Sequence, residues 1–184
     1  MQNIERIPHQ LDKAKRECKA IIETPKGRRN KFKFEPEFGL FTLSRVLPEG
    51  FTFPFDFGFI PSTKAEDGDP MDVIVLMDEP AHVGCILPVR IIGVIKVQQT
   101  EDGKTSRNDR LVGVALQSFA YKDVSELAEL RNSLVDQLAE FLALYNKNSG
   151  KTSEIEGVDG PDDAIALLEK ASKRFKGHAA EAKA

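Results

Sequence analysis

Six consecutive residues, Asp67-Gly68-Asp69-Pro70-Met71-Asp72, set three carboxylates side by side just ahead of the apolar run Val73-Ile74-Val75-Leu76. Like charges this close repel, and gathering them in a fold costs free energy unless protons or cations neutralise them. The backbone chemistry favours a tight turn that points them to one side. Gly68 accepts positive φ, while Pro70 fixes its own φ and biases Asp69 towards extended conformations. Clustered hard oxygen donors suit Mg2+ or Mn2+. They do not make an EF-hand calcium loop, because the glycine required at its sixth position would be Asp72. Taken alone, the turn reads equally well as a polar surface loop between two strands.

The elements that must position this turn follow from composition and pattern. A chain of 184 residues, 41% hydrophobic and 30% charged, suffices for one soluble domain over residues 1–184. A net charge of −3 disfavours nucleic acid as partner. No apolar run reaches membrane-spanning length and no charged-then-apolar leader opens the chain, so no membrane association and a cytoplasmic location are expected. Cys18 and Cys85 lie far apart and read as reduced thiols, and the isolated His9, His82 and His178 argue against zinc.

Along the chain, the first eighteen residues carry little pattern and read as a helix or an adaptable arm. Ala20 to Thr24 reads as a strand ending at Pro25, followed by a basic hairpin tip, Lys26 to Asn30. Lys31-Phe32-Lys33-Phe34-Glu35 alternates with period two, which puts Lys31, Lys33 and Glu35 on one face and the phenylalanines on the other. Leu40 to Val46 is a further strand carrying Arg45 near its end. The phenylalanine-rich stretch Phe51 to Pro61 reads as half-buried strand with proline bends. Ile86 to Val97 is a long strand, Gln98 to Asp109 a polar loop, and Leu111 to Leu116 another strand. Seven or so strands imply a small closed or half-closed barrel, since an open sheet would leave long edges. The period then becomes helical: Ser125 is a candidate N-cap, and Leu134, Leu138, Phe141, Leu142 and Tyr145 recur on one face before Gly150. Gly160-Pro161-Asp162-Asp163 opens a second helix with Ile165, Leu168, Ser172 and Phe175 inward, and the last nine residues are expected to fray.

Gly58-Phe59-Ile60-Pro61 followed by Glu66-Asp67-Gly68-Asp69-Pro70-Met71-Asp72-Val73 closely resembles the signature of soluble family I inorganic pyrophosphatases. The resemblance extends from about Ala20 to Phe175 and takes in Asn30-Lys31, Arg45, Gly93-Val94-Ile95-Lys96 and Tyr145. It implies an α+β fold that is mainly β, a five-stranded OB-type barrel with extra strands and two C-terminal helices. It also implies Mg2+-dependent hydrolysis of pyrophosphate to two phosphates by a homo-oligomer, a hexamer at this chain length. By the same resemblance Asp67 and Asp72 hold metal, Asp69 accepts a proton from the attacking water, and Glu23 orients the site. Lys31, Arg45 and Tyr145 would grip phosphate oxygens, arginine by paired contacts and lysine as a point charge.

Several positions depart from the family pattern. Lys33 stands where the family has an acid, Phe53 and Phe57 replace two tyrosines, and Asn146 replaces a lysine. In the polar segment the two metal-ligand acids fall on Gln99 and Asn108, and a lysine falls on Arg110, counted here with the substrate-binding residues. Glu101, Asp102 or Asp109 reaches the metal instead if the loop runs differently. Three anions are lost near the expected metals against one cation, which predicts fewer and weaker metal sites and reduced turnover. The alternative is a catalytically impaired homologue that binds phosphate, nucleotide or a protein partner. A nucleic-acid binder stacking bases on the phenylalanines is the weakest reading, because the chain is acidic and those rings are better explained as core.

Overall fold

Period-two runs rich in β-branched and aromatic residues become strands wherever a neighbour can bury them, and the polar segments between them turn the chain. In the computed structural model, which describes residues 3–181, these runs give nine strands and two α-helices. The strands are β1 (Glu17–Thr24), β2 (Asn30–Glu35), β3 (Leu40–Val46), β4 (Asp56–Ile60) and β5 (Met71–Leu76). They continue with β6 (Ile86–Glu101), β7 (Lys104–Arg107), β8 (Arg110–Ala115) and β9 (Thr152–Asp159). Helix α1 is Asn132–Lys147 and α2 is Pro161–Glu181.

Pairing runs β1–β4–β5–β8–β6, and β6 also pairs with β1, so these five strands close into a ring. All ring pairs are antiparallel except β5 with β8. One core cluster draws on all five strands (Ala20, Ile60, Val73, Val94 and Leu111 among them) and is joined by Ala164 and Leu168 of α2. A second lies on alternate residues of β4, β5, β6 and β8, such as Phe57, Ile74, Ile95 and Val112, under Leu138, Phe141 and Leu142 of α1. β2 and β3 form a separate hairpin, and β9 and β7 extend the long strand β6 beyond the ring.

Three expectations are corrected. The segment Gln98 to Asp109 is no loop: β6 continues to Glu101, turns at Asp102-Gly103 and returns as β7. Both turn residues have positive φ, 50° and 74°, which is the backbone that an Asp-Gly hairpin turn requires. Ser125 does not cap α1. Its backbone N–H donates to Glu129 ahead of a short 3-10 turn, Leu127–Glu129, and α1 begins only at Asn132. The phenylalanine-rich stretch is fully rather than half buried at Phe53, Phe55, Phe57 and Phe59. The opening segment contributes a 3-10 turn (Ile4–Arg6) and the start of β1. α2 is continuous to Glu181, and the remainder of the expected frayed tail lies outside the described residues. None of the described helices is long and apolar enough to cross a membrane.

Candidate active site

The acidic turn joins β4 to β5 as its sequence requires. Gly68 takes φ 96°, and the backbone N–H of Asp69 donates to Asp67 Oδ1 at 3.1 Å, which fixes the two carboxylates relative to each other. Asp72 is the second residue of β5, opposite Phe59 of β4. Across from them, Lys31 of β2 and Arg45 of β3 are cross-strand partners, so one hairpin delivers both cations. Arg110 opens β8, and α1 brings Tyr145 and Asn146. All of these side chains, with Glu23, Lys33, Gln99 and Asn108, line one cleft of about 200 Å3. The acidic triplet and the cationic, tyrosine and amide candidates read from the sequence thus face the same space.

The cleft also holds four side chains that sequence reasoning missed: Glu5, Ser44, Ser149 and Lys151. Ser149 was traceable, because it lies one helical turn beyond Tyr145, where its hydroxyl donates to the Tyr145 carbonyl at 2.8 Å. Glu5 and Lys151 arrive by tertiary folding of segments with no local signal. Conversely, Asp109 faces away: it accepts from Val97 N at 3.0 Å and pairs with Arg107 at 3.0 Å. Glu101 pairs with Lys151 at 2.8 Å, and Asp102 sits at the hairpin tip. None of these three acids lines the cleft.

Five cationic and five anionic side chains line the cleft, and two of the anions are already matched inside it. Asp72 Oδ2 receives Arg110 Nη1 at 2.9 Å, with Arg110 only 4% exposed. Asp69 is 3.3 Å from Lys33 Nζ. Arg110 is further held by the carbonyl of Asn108 at 2.7 Å and by its side-chain oxygen, while Asn108 Nδ2 donates to Gln99 Oε1 at 3.2 Å. The two amides therefore turn towards each other, and Asn108 also towards the guanidinium. Phe57, lacking a hydroxyl, presents its ring face: Lys31 Nζ is 5.2 Å and the Arg110 guanidinium carbon 5.9 Å from its centroid. Lys31 also lies 5.3 Å from the Tyr145 ring.

Burial shapes the protonation of the site. It drives Glu23 up from its ordinary value to about 7, with Asp72 adding to the rise against the pull of Lys31, while its carboxylate accepts from Phe34 N at 3.2 Å. Burial alone would lower the Lys31 ammonium, but Tyr145, Asp72 and Glu23 together raise it, so it stays charged. Asp67 is raised by burial and by the neighbouring Asp72 and Asp69, and Glu5 by burial and by Asp69. Two donors in this region, Arg45 Nη1 and Asn146 Nδ2, are buried without a partner among the described residues. An unsatisfied buried donor costs about 1–3 kcal/mol, so an acceptor-rich ligand would relieve both.

A sequence profile described as Inorganic pyrophosphatase matches residues 20–176. The chain belongs to this family. It is 35% identical over 156 residues to the inorganic pyrophosphatase of Synechocystis, covering 85% of this chain and 90% of that one. It is 31% identical over 180 residues to that of Thermus thermophilus, covering 96% and 100%. The crystal structure of the Thermus thermophilus protein superposes with a TM-score of 0.85 at 28% identity, covering 95% of this chain and 99% of that one. An inorganic pyrophosphatase from Neisseria gonorrhoeae superposes at 0.83 and 26% identity, covering 94% and 98%. The OB-like barrel with two helices is thus the architecture of the family, and this family generally depends on metal ions.

On one side of the cleft Asp67 and Asp72 offer carboxylate oxygens of the kind a divalent ion takes. Asp67 has no cation within ion-pair distance among the described residues, and Arg110 engages Oδ2 of Asp72 rather than Oδ1. The opposite side, lined by Gln99 and Asn108, offers only neutral amides already bound to each other and to Arg110. No three Asp, Glu, His or Cys side chains gather into a metal-holding cluster among the described residues.

Proposed function

We propose that the chain hydrolyses inorganic pyrophosphate to two phosphates with Mg2+, or Mn2+, as cofactor. The observation that carries this is that the Asp67, Asp69 and Asp72 triplet faces Lys31, Arg45, Arg110 and Tyr145 across one cleft in a chain of this family. In this reading Asp67 and Asp72 hold the ion, which supplies positive charge to phosphate oxygens and acidifies water. Asp69 accepts the proton of the attacking water. Lys31 and Arg45 bind phosphate oxygens from the β2–β3 hairpin, Lys33 and Arg110 add positive charge beside them, and Tyr145 donates its hydroxyl. Glu23 positions Phe34 and neighbours Lys31. Asn108, a metal candidate by resemblance, is better placed to hold Arg110 than an ion.

Turnover is reduced relative to a site with every family position filled. Loss of one charge-stabilising donor costs on the order of 10²–10³ in rate, and the hydroxyls absent at Phe53 and Phe57 are two such groups. The ion pairs on Asp69 and Asp72 favour the second reading, a homologue that binds the anion and does not turn it over. Phosphate release from pyrophosphate separates the two. Release that requires Mg2+ or Mn2+ and disappears in EDTA is expected, and no release above the uncatalysed rate with either ion overturns the hydrolytic reading. The family resemblance further supports a cytoplasmic homo-oligomer, a hexamer by analogy.

A further inference from the structure

The charge arrangement of the cleft bears on how an anion enters it. A cleft in which acids outnumber cations repels a polyanion until metal ions have loaded. Here cations and acids are equal in number, and two of the cations lie directly against aspartates. Lys33 sits 3.3 Å from Asp69 and Arg110 2.9 Å from Asp72, so two of the three turn carboxylates are neutralised by the chain itself. Arg110 is locked in that position by Asn108, itself braced by Gln99, and backed by the Phe57 ring. The buried Arg45 Nη1 and Asn146 Nδ2 remain without an acceptor among the described residues.

We propose that this cleft takes up pyrophosphate without a divalent ion, Lys33 and Arg110 supplying in covalent form the positive charge that neutralises its aspartates, and Arg45 and Asn146 donating to phosphate oxygens. The inference rests on the reading of the cleft as a pyrophosphate site and adds a division of labour: side chains bind the anion, and metal is needed only for the attack by water. An ammonium or guanidinium pairs with a phosphate oxygen as well as with a carboxylate, but neither activates water as a metal ion does.

Equilibrium dialysis of the full-length chain tests this, against labelled pyrophosphate in excess EDTA and, because Mg2+ supports hydrolysis, against the labelled non-hydrolysable analogue methylenediphosphonate both in EDTA and in Mg2+. Binding in EDTA within about tenfold of that in Mg2+ is expected. Lys33→Glu, at an exposed position where folding survives, should weaken binding in EDTA by roughly tenfold or more, the scale of one lost charge-assisted contact, and Mg2+ should restore most of it. Arg110→Lys, checked by its thermal melt, should weaken binding in EDTA because one point charge replaces the fork. Undetectable binding of the native chain in EDTA, or binding there that Lys33→Glu leaves unchanged, overturns the proposal. The two readings fail separately. Metal-dependent phosphate release without binding in EDTA removes this inference and leaves the hydrolase, whereas binding in EDTA without release under any metal does the reverse.

Discussion

Arg110 is the residue on which the charge order of the cleft turns. It is 4% exposed, and its guanidinium meets Asp72 and two oxygens of Asn108. Removing one partner of a buried pair leaves the other uncompensated, at a cost of 3–5 kcal/mol. Asp72 keeps 23% exposure, which places the expected loss for Arg110→Met near the lower end, about 3 kcal/mol, measurable by urea unfolding at neutral pH. Glu23 gives a second prediction at this scale. Its folded value, about 7, lies above the ordinary 4.5, so the native state holds a proton that the unfolded chain has released. The stabilisation is fully present below about pH 4.5 and is lost as the pH rises through about 7. Its size is on the order of 3 kcal/mol. Glu23→Gln keeps an acceptor for Phe34 N and has no such proton, so its unfolding free energy should decline less than the native chain's between pH 5 and pH 8. Parallel profiles would show that Glu23 is not shifted.

At the scale of elements, the tightest constraint is Gly58, where β4 pairs with β1. A Cβ there would lie 1.9 Å from the Ile21 carbonyl oxygen, a backbone atom that moves only if the strands part. Gly58→Ala is therefore expected to abolish the soluble folded protein or lower its melting temperature by more than 10 °C, well beyond the common range of point substitutions. What was legible in the sequence follows from the same physics. β2, β3, β5 and β8 carry strong period-two or continuously apolar signals, and the acidic turn, Lys31, Arg45 and Tyr145 sit at rigid positions on or beside such elements. β9 was invisible because its burial alternates only between half-buried and exposed. It is a strand by virtue of pairing with β6, not by propensity. β7 was missed although Asp102-Gly103 is a strong hairpin signal, because the flanking residues are polar on both faces. The hairpin then explains why the loop acids do not serve the site. Gln99 lines the cleft from β6, and Asn108, between β7 and β8, is held there by its bonds to Gln99 and Arg110, while Asp109 is tied to Arg107 and the β6 backbone.

At the scale of the whole molecule, one surface is poorly accounted for by a lone chain. Phe38, Leu40, Leu43 and Val46 on the β2–β3 hairpin are all more than half exposed, at 55%, 63%, 54% and 51%. Four large apolar side chains left this exposed on one hairpin are typical of an element covered by a partner, and the family resemblance makes a second copy the expected one. Light scattering at micromolar concentration should return a mass that is a multiple of 20.4 kDa, and Leu43→Glu should lower it. A monomeric native protein would remove the homo-oligomer.

The long strand β6 has a consequence for how the chain comes to be folded. Its first half pairs with β1 and β8, a bulge beside Gly93 bends it, and its second half pairs with β7 and β9. As the chain is synthesised, β1 is made early but can satisfy its second edge only when residues 86–90 appear, and β6 itself is complete only when 152–159 follow. Loop-closure entropy must be met before such distant pairings form, so refolding is expected in the millisecond-to-second range typical of β-rich topologies. Nascent chains stalled before β6 would leave one edge of β1 unpaired, and such truncated species are expected to aggregate more readily than the finished protein.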